Sequence, residues 1–70
     1  MNERLYNVCV DYGYGDAHRI FDNLNAQEIV DWAVKENRLD PEYLEEETPE
    51  QAIELHLMDK DGLYYVEYAN

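Results

Sequence analysis

Residues 53–69 read Ile53-Glu54-Leu55-His56-Leu57-Met58-Asp59-Lys60-Asp61-Gly62-Leu63-Tyr64-Tyr65-Val66-Glu67-Tyr68-Ala69, and the reading of this stretch decides the fold. Ile53, Leu55 and Leu57 alternate with Glu54, His56 and Met58. Successive side chains of a strand point to opposite faces, so a period of two predicts a strand. Asp59 to Gly62 has turn composition, and residues 63–69 continue as a second extended run. A type I turn with Gly62 in the left-handed position predicts a hairpin that pairs Asp59 with Leu63, Leu57 with Tyr65 and Leu55 with Glu67. That register gathers Ile53, Leu55, Leu57, Leu63 and Tyr65 against a helix. It turns Glu54, His56, Met58, Tyr64, Val66 and Tyr68 to the opposite face.

Working outward from the hairpin, the covering helix is the clearest local signal. Asn25 is an N-cap residue, Glu28 stands three positions later as in a capping box, and Leu24 is placed to staple onto Ile29. A helix is predicted from Ala26 to Asn37 or Arg38, with Ile29, Val30, Trp32, Ala33 and Val34 forming its apolar stripe. Asp40-Pro41 repeats an N-cap followed by proline, which predicts a short helical turn over 41–46, and Thr48-Pro49 then interrupts the chain. At the N-terminus, Tyr6, Val8, Val10 and Tyr12 alternate with Leu5, Asn7, Cys9 and Asp11. Gly13-Tyr14-Gly15-Asp16 turns this strand back into a second one over 17–22, which carries Ile20 and Phe21. The order is β-β-α-β-β: an α+β fold, one domain over residues 1–70, whose four-stranded, antiparallel-rich sheet is covered on one face by one main helix plus a short helical turn.

One helix leaves the other sheet face open, with Leu5, Cys9, Ile20, His56, Met58, Tyr64, Val66 and Tyr68 on it. A loop or a different register covers such a face, or β-branched and tyrosine residues simply suit strands. Alternatively it is a protein contact, and symmetric pairing that buries Met58, Tyr64, Val66 and Tyr68 would make a homodimer or join the chain to an assembly.

Charge supplies the second feature. The chain of 70 residues carries 17 Asp plus Glu against 5 Lys plus Arg, a formal net charge of -12. Phosphate backbones and anionic lipid surfaces repel such a protein, so direct nucleic-acid or membrane binding is not expected. At 46% hydrophobic with 7 tyrosines it is too rich in core residues for a disordered acidic tail. The single Cys9 cannot form an internal disulfide, and residues 1–4 do not open a signal peptide, so a cytoplasmic protein is expected. Asp40, Glu42, Glu45, Glu46, Glu47, Glu50 and Glu54 fall within fifteen positions that hold no basic residue, and Asp31 adds to them from the helix. The segment is a solvated linker that aids solubility or a contact for a basic partner.

In size, charge, tyrosine content and the acidic run Asp40–Glu54, the chain resembles the small acidic inhibitors that phages and mobile elements direct against restriction or CRISPR enzymes, some of which mimic DNA. The resemblance implies a non-enzymatic inhibitor or regulator occupying a basic, nucleic-acid-binding surface. Carboxylates would engage Arg and Lys by charge-assisted hydrogen bonds, with Tyr64 and Tyr68 as short-range anchors. The partner-binding residues expected on this reading are Asp31, Asp40, Glu42, Glu45, Glu46, Glu47, Glu50, Glu54, Tyr64 and Tyr68.

Catalytic and cofactor readings find less support. Asp59, Asp61 and Gly62 fit part of a calcium loop, but Leu57 and Tyr68 stand where its first and last ligands belong. His18 and His56 would need the strands to bring Cys9 or Asp11 to them, and Gly13 and Gly15 are a fragment of a dinucleotide fingerprint without its third glycine. No catalytic residue, metal or cofactor is expected.

Overall fold

A computed structural model describes residues 4–13, 15, 17–59 and 62–69. Two strands, β1 (Leu5–Asp11) and β2 (Ala17–Asn25), lead into a helix, α1 (Ala26–Lys35). A 3-10 turn (Pro41–Glu45) precedes a second helix, α2 (Pro49–Ala52), which widens into a π turn (Ile53–Leu57), and the chain ends on β3 (Tyr64–Tyr68). The three strands form one antiparallel sheet in the order β2-β1-β3.

The N-terminal hairpin and α1 follow the sequence reading. Gly13 and Gly15 adopt φ of 87° and 85°, and the Asp11 Oδ1 accepts from the Gly13 N–H at 2.8 Å, while Tyr14 and Asp16 lie outside the described residues. β2 runs three residues past the expected Asp22, directly into the Asn25 cap. There the Asn25 Oδ1 accepts from the Glu28 N–H at 2.8 Å, and the Glu28 Oε1 accepts from the Asn25 N–H at 3.0 Å. At the other end α1 closes two to three residues before the expected limit. Asn37 takes φ of 58°, its N–H donates to the Val34 carbonyl, and the Arg38 N–H reaches back to the Ala33 carbonyl at 2.7 Å. These two bonds satisfy the last carbonyls of the helix in a Schellman arrangement.

The segment 53–58 is not a strand. Thr48 caps α2 instead of interrupting the chain: its Oγ1 accepts from the Gln51 N–H at 3.2 Å, the Gln51 Oε1 accepts from the Thr48 N–H at 3.0 Å, and Pro49 fills the first helical position. Helical winding brings Ala52, Ile53 and Leu57 inward and leaves Leu55, expected against the helix, 67% exposed. The sheet therefore has three strands, and β3 pairs with β1 in the register Tyr6–Tyr68, Val8–Val66 and Val10–Tyr64. The expected pairs Leu57–Tyr65 and Leu55–Glu67 do not form, and Lys60 and Asp61 of the expected turn lie outside the described residues.

This pairing reverses the faces of the last strand. Val66 joins Tyr6, Val8, Ile29, Val30, Ala33, Ala52, Ile53 and Leu57 in the core, so Tyr64, Val66 and Tyr68 lie on the helix side of the sheet. The tyrosine-rich open face on which self-association was expected is thus not present in that form. His56 and Met58 have left the sheet, and Ile20 is the extra residue of a bulge, between the pairs Val8–Phe21 and Cys9–Arg19. The face away from the helices carries Asn7, Cys9, Asp11, Arg19, Tyr65 and Glu67. Asn7 is buried there with both ends satisfied: Nδ2 donates to the Glu67 Oε2 at 3.1 Å, and Oδ1 accepts from the Asn23 N–H at 3.1 Å.

Candidate functional site

The acidic run is built on folded backbone. Asp40 starts the 3-10 turn, where its Oδ1 accepts from the Glu42 N–H at 3.0 Å, and half-buried Leu44 holds that turn against the core. Ala52 and Ile53, both fully buried, do the same for α2. With the backbone anchored on its apolar side, Asp40, Glu42, Glu45, Glu46, Glu50 and Glu54 are exposed. Asp40, Glu42, Glu45 and Glu46 line, with Tyr43, an open concavity of about 290 Å³. None of these four has a basic partner among the described residues. The negative potential of the concavity is set by these carboxylates.

Glu47, Glu54 and Asp31 are engaged differently. Glu47 is half-buried and its carboxylate meets the His56 Nε2 at 3.0 Å, with the His56 ring stacked on Tyr43 at 4.0 Å and 17°. Its role is to tie the π turn to the 3-10 turn. The Tyr68 hydroxyl donates to the Glu54 Oε1 at 2.6 Å, a bond that holds its proton and raises the Tyr68 pKa, burial adding to this. Arg4 lies 4.6 Å over the Tyr68 ring, and Tyr6 packs beside it with ring centroids 5.7 Å apart. The Tyr6 hydroxyl is buried with no hydrogen-bond partner among the described residues, and burial raises its pKa, with the Glu50 charge adding to the shift. Asp31 sits on the exposed side of α1, accepting from the Gln27 Nε2 at 2.9 Å, and does not line the concavity.

Tyr64 belongs to a second cleft that sequence reasoning did not assemble. Its ring meets Trp32 edge-on at 5.9 Å and 70°, and Trp32 meets Phe21 edge-on at 6.4 Å and 70°. With Ile20, Glu36 and Arg38 these rings line a cavity of about 210 Å³. The Arg38 guanidinium lies 4.1 Å over the Tyr64 ring, placed there by the Schellman turn that ends α1. In the sequence Tyr64 was singled out as a contact residue and Trp32 was read as part of the helix stripe, but nothing local brought the two together.

The remaining candidate residues do not converge. Val10 pairs with His18 while Cys9 pairs with Arg19, so neighbouring register positions set His18 and Cys9 on opposite faces of the sheet. Cys9 is buried opposite Tyr65, and burial pushes its thiol pKa up, away from the reactive thiolate. Among the described residues no three His, Cys, Asp or Glu are grouped to hold a metal ion, and no helix is long and apolar enough to cross a membrane. The chain matches no family model, no curated protein and no solved structure.

Proposed function

We propose that this chain is a non-enzymatic inhibitor or regulator that binds a basic protein surface, the target being the nucleic-acid channel of an enzyme such as a CRISPR or restriction nuclease. The observation that carries this reading is the anchoring of the acidic run: Asp40, Glu42, Glu45 and Glu46 surround one concavity on capped, core-packed backbone, with no basic partner among the described residues. Carboxylates carried on anchored backbone lose less conformational entropy on binding than those of a mobile linker. A net charge of -12 steers a cationic partner toward them and makes association fall with salt.

The test is competition. A candidate nuclease is titrated with this protein in the presence of its labelled nucleic acid, at low and high salt. Displacement of the nucleic acid, weakening as salt rises, is the expected result; a ternary complex with both ligands saturated contradicts it. Glu42→Lys, Glu45→Lys and Glu46→Lys together should abolish displacement. Glu47 is left intact because its bond to His56 is part of the scaffold.

A further inference from the structure

We infer that the Phe21/Trp32/Tyr64 cleft is a receptor for an arginine side chain of the basic partner, with Arg38 as its internal occupant. The inference rests on the partner being basic, as proposed above, and adds where and by what chemistry it is gripped.

Three observations converge on a guanidinium. Trp32 packs edge-on against both Phe21 and Tyr64, and the three rings share the lining of one open cleft. A ring face in such a lining attracts a cation electrostatically through its quadrupole. At about 210 Å³ it is below the ~300–1,000 Å³ of small-molecule pockets and suits the head of one side chain. The chain's own Arg38 guanidinium already stacks 4.1 Å over Tyr64, which is the contact an incoming arginine would reproduce or displace. Glu36 stands in the lining as a counter-charge, and Ile20 and Phe21, both exposed on the edge strand, keep the mouth apolar. A planar, weakly hydrated guanidinium stacks on such walls, whereas a lysine ammonium holds its water more strongly.

The charge of the whole protein acts equally on any polycation, so the experiment compares two of equal charge. The full chain is titrated with hexa-arginine and with hexa-lysine peptides, following the emission of Trp32, the only tryptophan present. The expected result is a saturable emission change with hexa-arginine and tighter binding of it than of hexa-lysine. Phe21→Ala, at a 43% exposed position, should lower the arginine-to-lysine affinity ratio about 2- to 10-fold. Arg38→Ala should raise that ratio by clearing the Tyr64 face. Equal affinities and equal emission changes for the two peptides overturn the cleft, as does a ratio that neither substitution moves. Binding of neither peptide overturns the basic-partner reading and the cleft with it, so the two failures are distinguishable.

Discussion

Replacing Ile53 and Leu55 separately by alanine discriminates between the two ways of winding residues 53–57. On a strand, both side chains share the face turned to α1 and truncation should cost the same at each. In the π turn, Ile53 is 0% exposed and Leu55 is 67% exposed. Full burial of a leucine contributes about 1.5–3 kcal/mol. With about a third of its surface sheltered, Leu55 retains about 0.5–1 kcal/mol of this, and Leu55→Ala should cost no more. Ile53→Ala also leaves a cavity in the buried cluster of which it is a fully buried member, for about 2–5 kcal/mol. A chain of 70 residues has a total stability of about 4–10 kcal/mol, so Ile53→Ala could unfold it outright. Ile53→Val, at about 0.5–1.5 kcal/mol, keeps the measurement within range. Urea denaturation followed by circular dichroism supplies the midpoints. A Leu55→Ala loss above about 2 kcal/mol, or one equal to that of Ile53→Ala, would refute the helical winding and restore the fourth strand.

Two further outcomes follow from the buried tyrosines and the thiol. Tyr6→Phe removes a buried hydroxyl that has no partner among the described residues, so it should stabilise the fold by about 1 kcal/mol, or about 4–8 °C in Tm; a loss of that size in calorimetry would mean that the hydroxyl is bonded. The pKa values of Cys9, Tyr6 and Tyr65 are raised chiefly by burial, and that of Tyr68 chiefly by its bond to Glu54. Each of these groups binds its proton more tightly when folded, so their contribution is complete below the unfolded values, about 8.5 for cysteine and about 10 for tyrosine, and is lost as pH rises through the folded ones. The urea midpoint should therefore fall between pH 7.5 and pH 10.5, and a constant midpoint contradicts the shifts.

What was legible in the sequence is what local chemistry dictates. Asn25 and Glu28 announce α1, Gly13 and Gly15 announce the first turn, and Asp40-Pro41 announces the 3-10 turn, because each acts within a few residues of itself. Thr48 and Gln51 form a second capping box of the same kind, a signal that the reading of Thr48-Pro49 as an interruption missed. Ile53 and Leu57 are spaced four apart, which fits a helix turn as well as it fits a strand, and only the cap decides between them. The faces of β3 depended on its partner. Pairing with β1 rather than with 53–58 is a long-range choice that sends Val66 into the core. The aromatic cleft was further out of reach, since a bulge at Ile20 determines that Phe21 meets Trp32. The acidic run was visible as composition, but its attachment to the core through Leu44, Ala52 and Ile53 was not.

The two surfaces would divide the work of recognition in the proposed complex. An acidic concavity attracts any polycation, because Coulomb forces act at a distance and do not depend on the shape of the group that carries the charge. Such attraction accelerates the encounter without choosing the partner. Choice requires short-range contacts whose strength depends on fit, and buried aromatic anchors are where binding energy concentrates in interfaces. Tyr64 and Tyr68 are now placed differently with respect to that requirement. Tyr68 is committed to Glu54 and lies under Arg4, so it stiffens the acidic platform rather than reaching outward. Tyr64 lines an open cleft with Trp32 and Phe21, and its ring already carries the Arg38 guanidinium that an incoming arginine would displace. If specificity resides there, removing acids should slow association with all basic partners alike, whereas Phe21→Ala should change which of them is preferred.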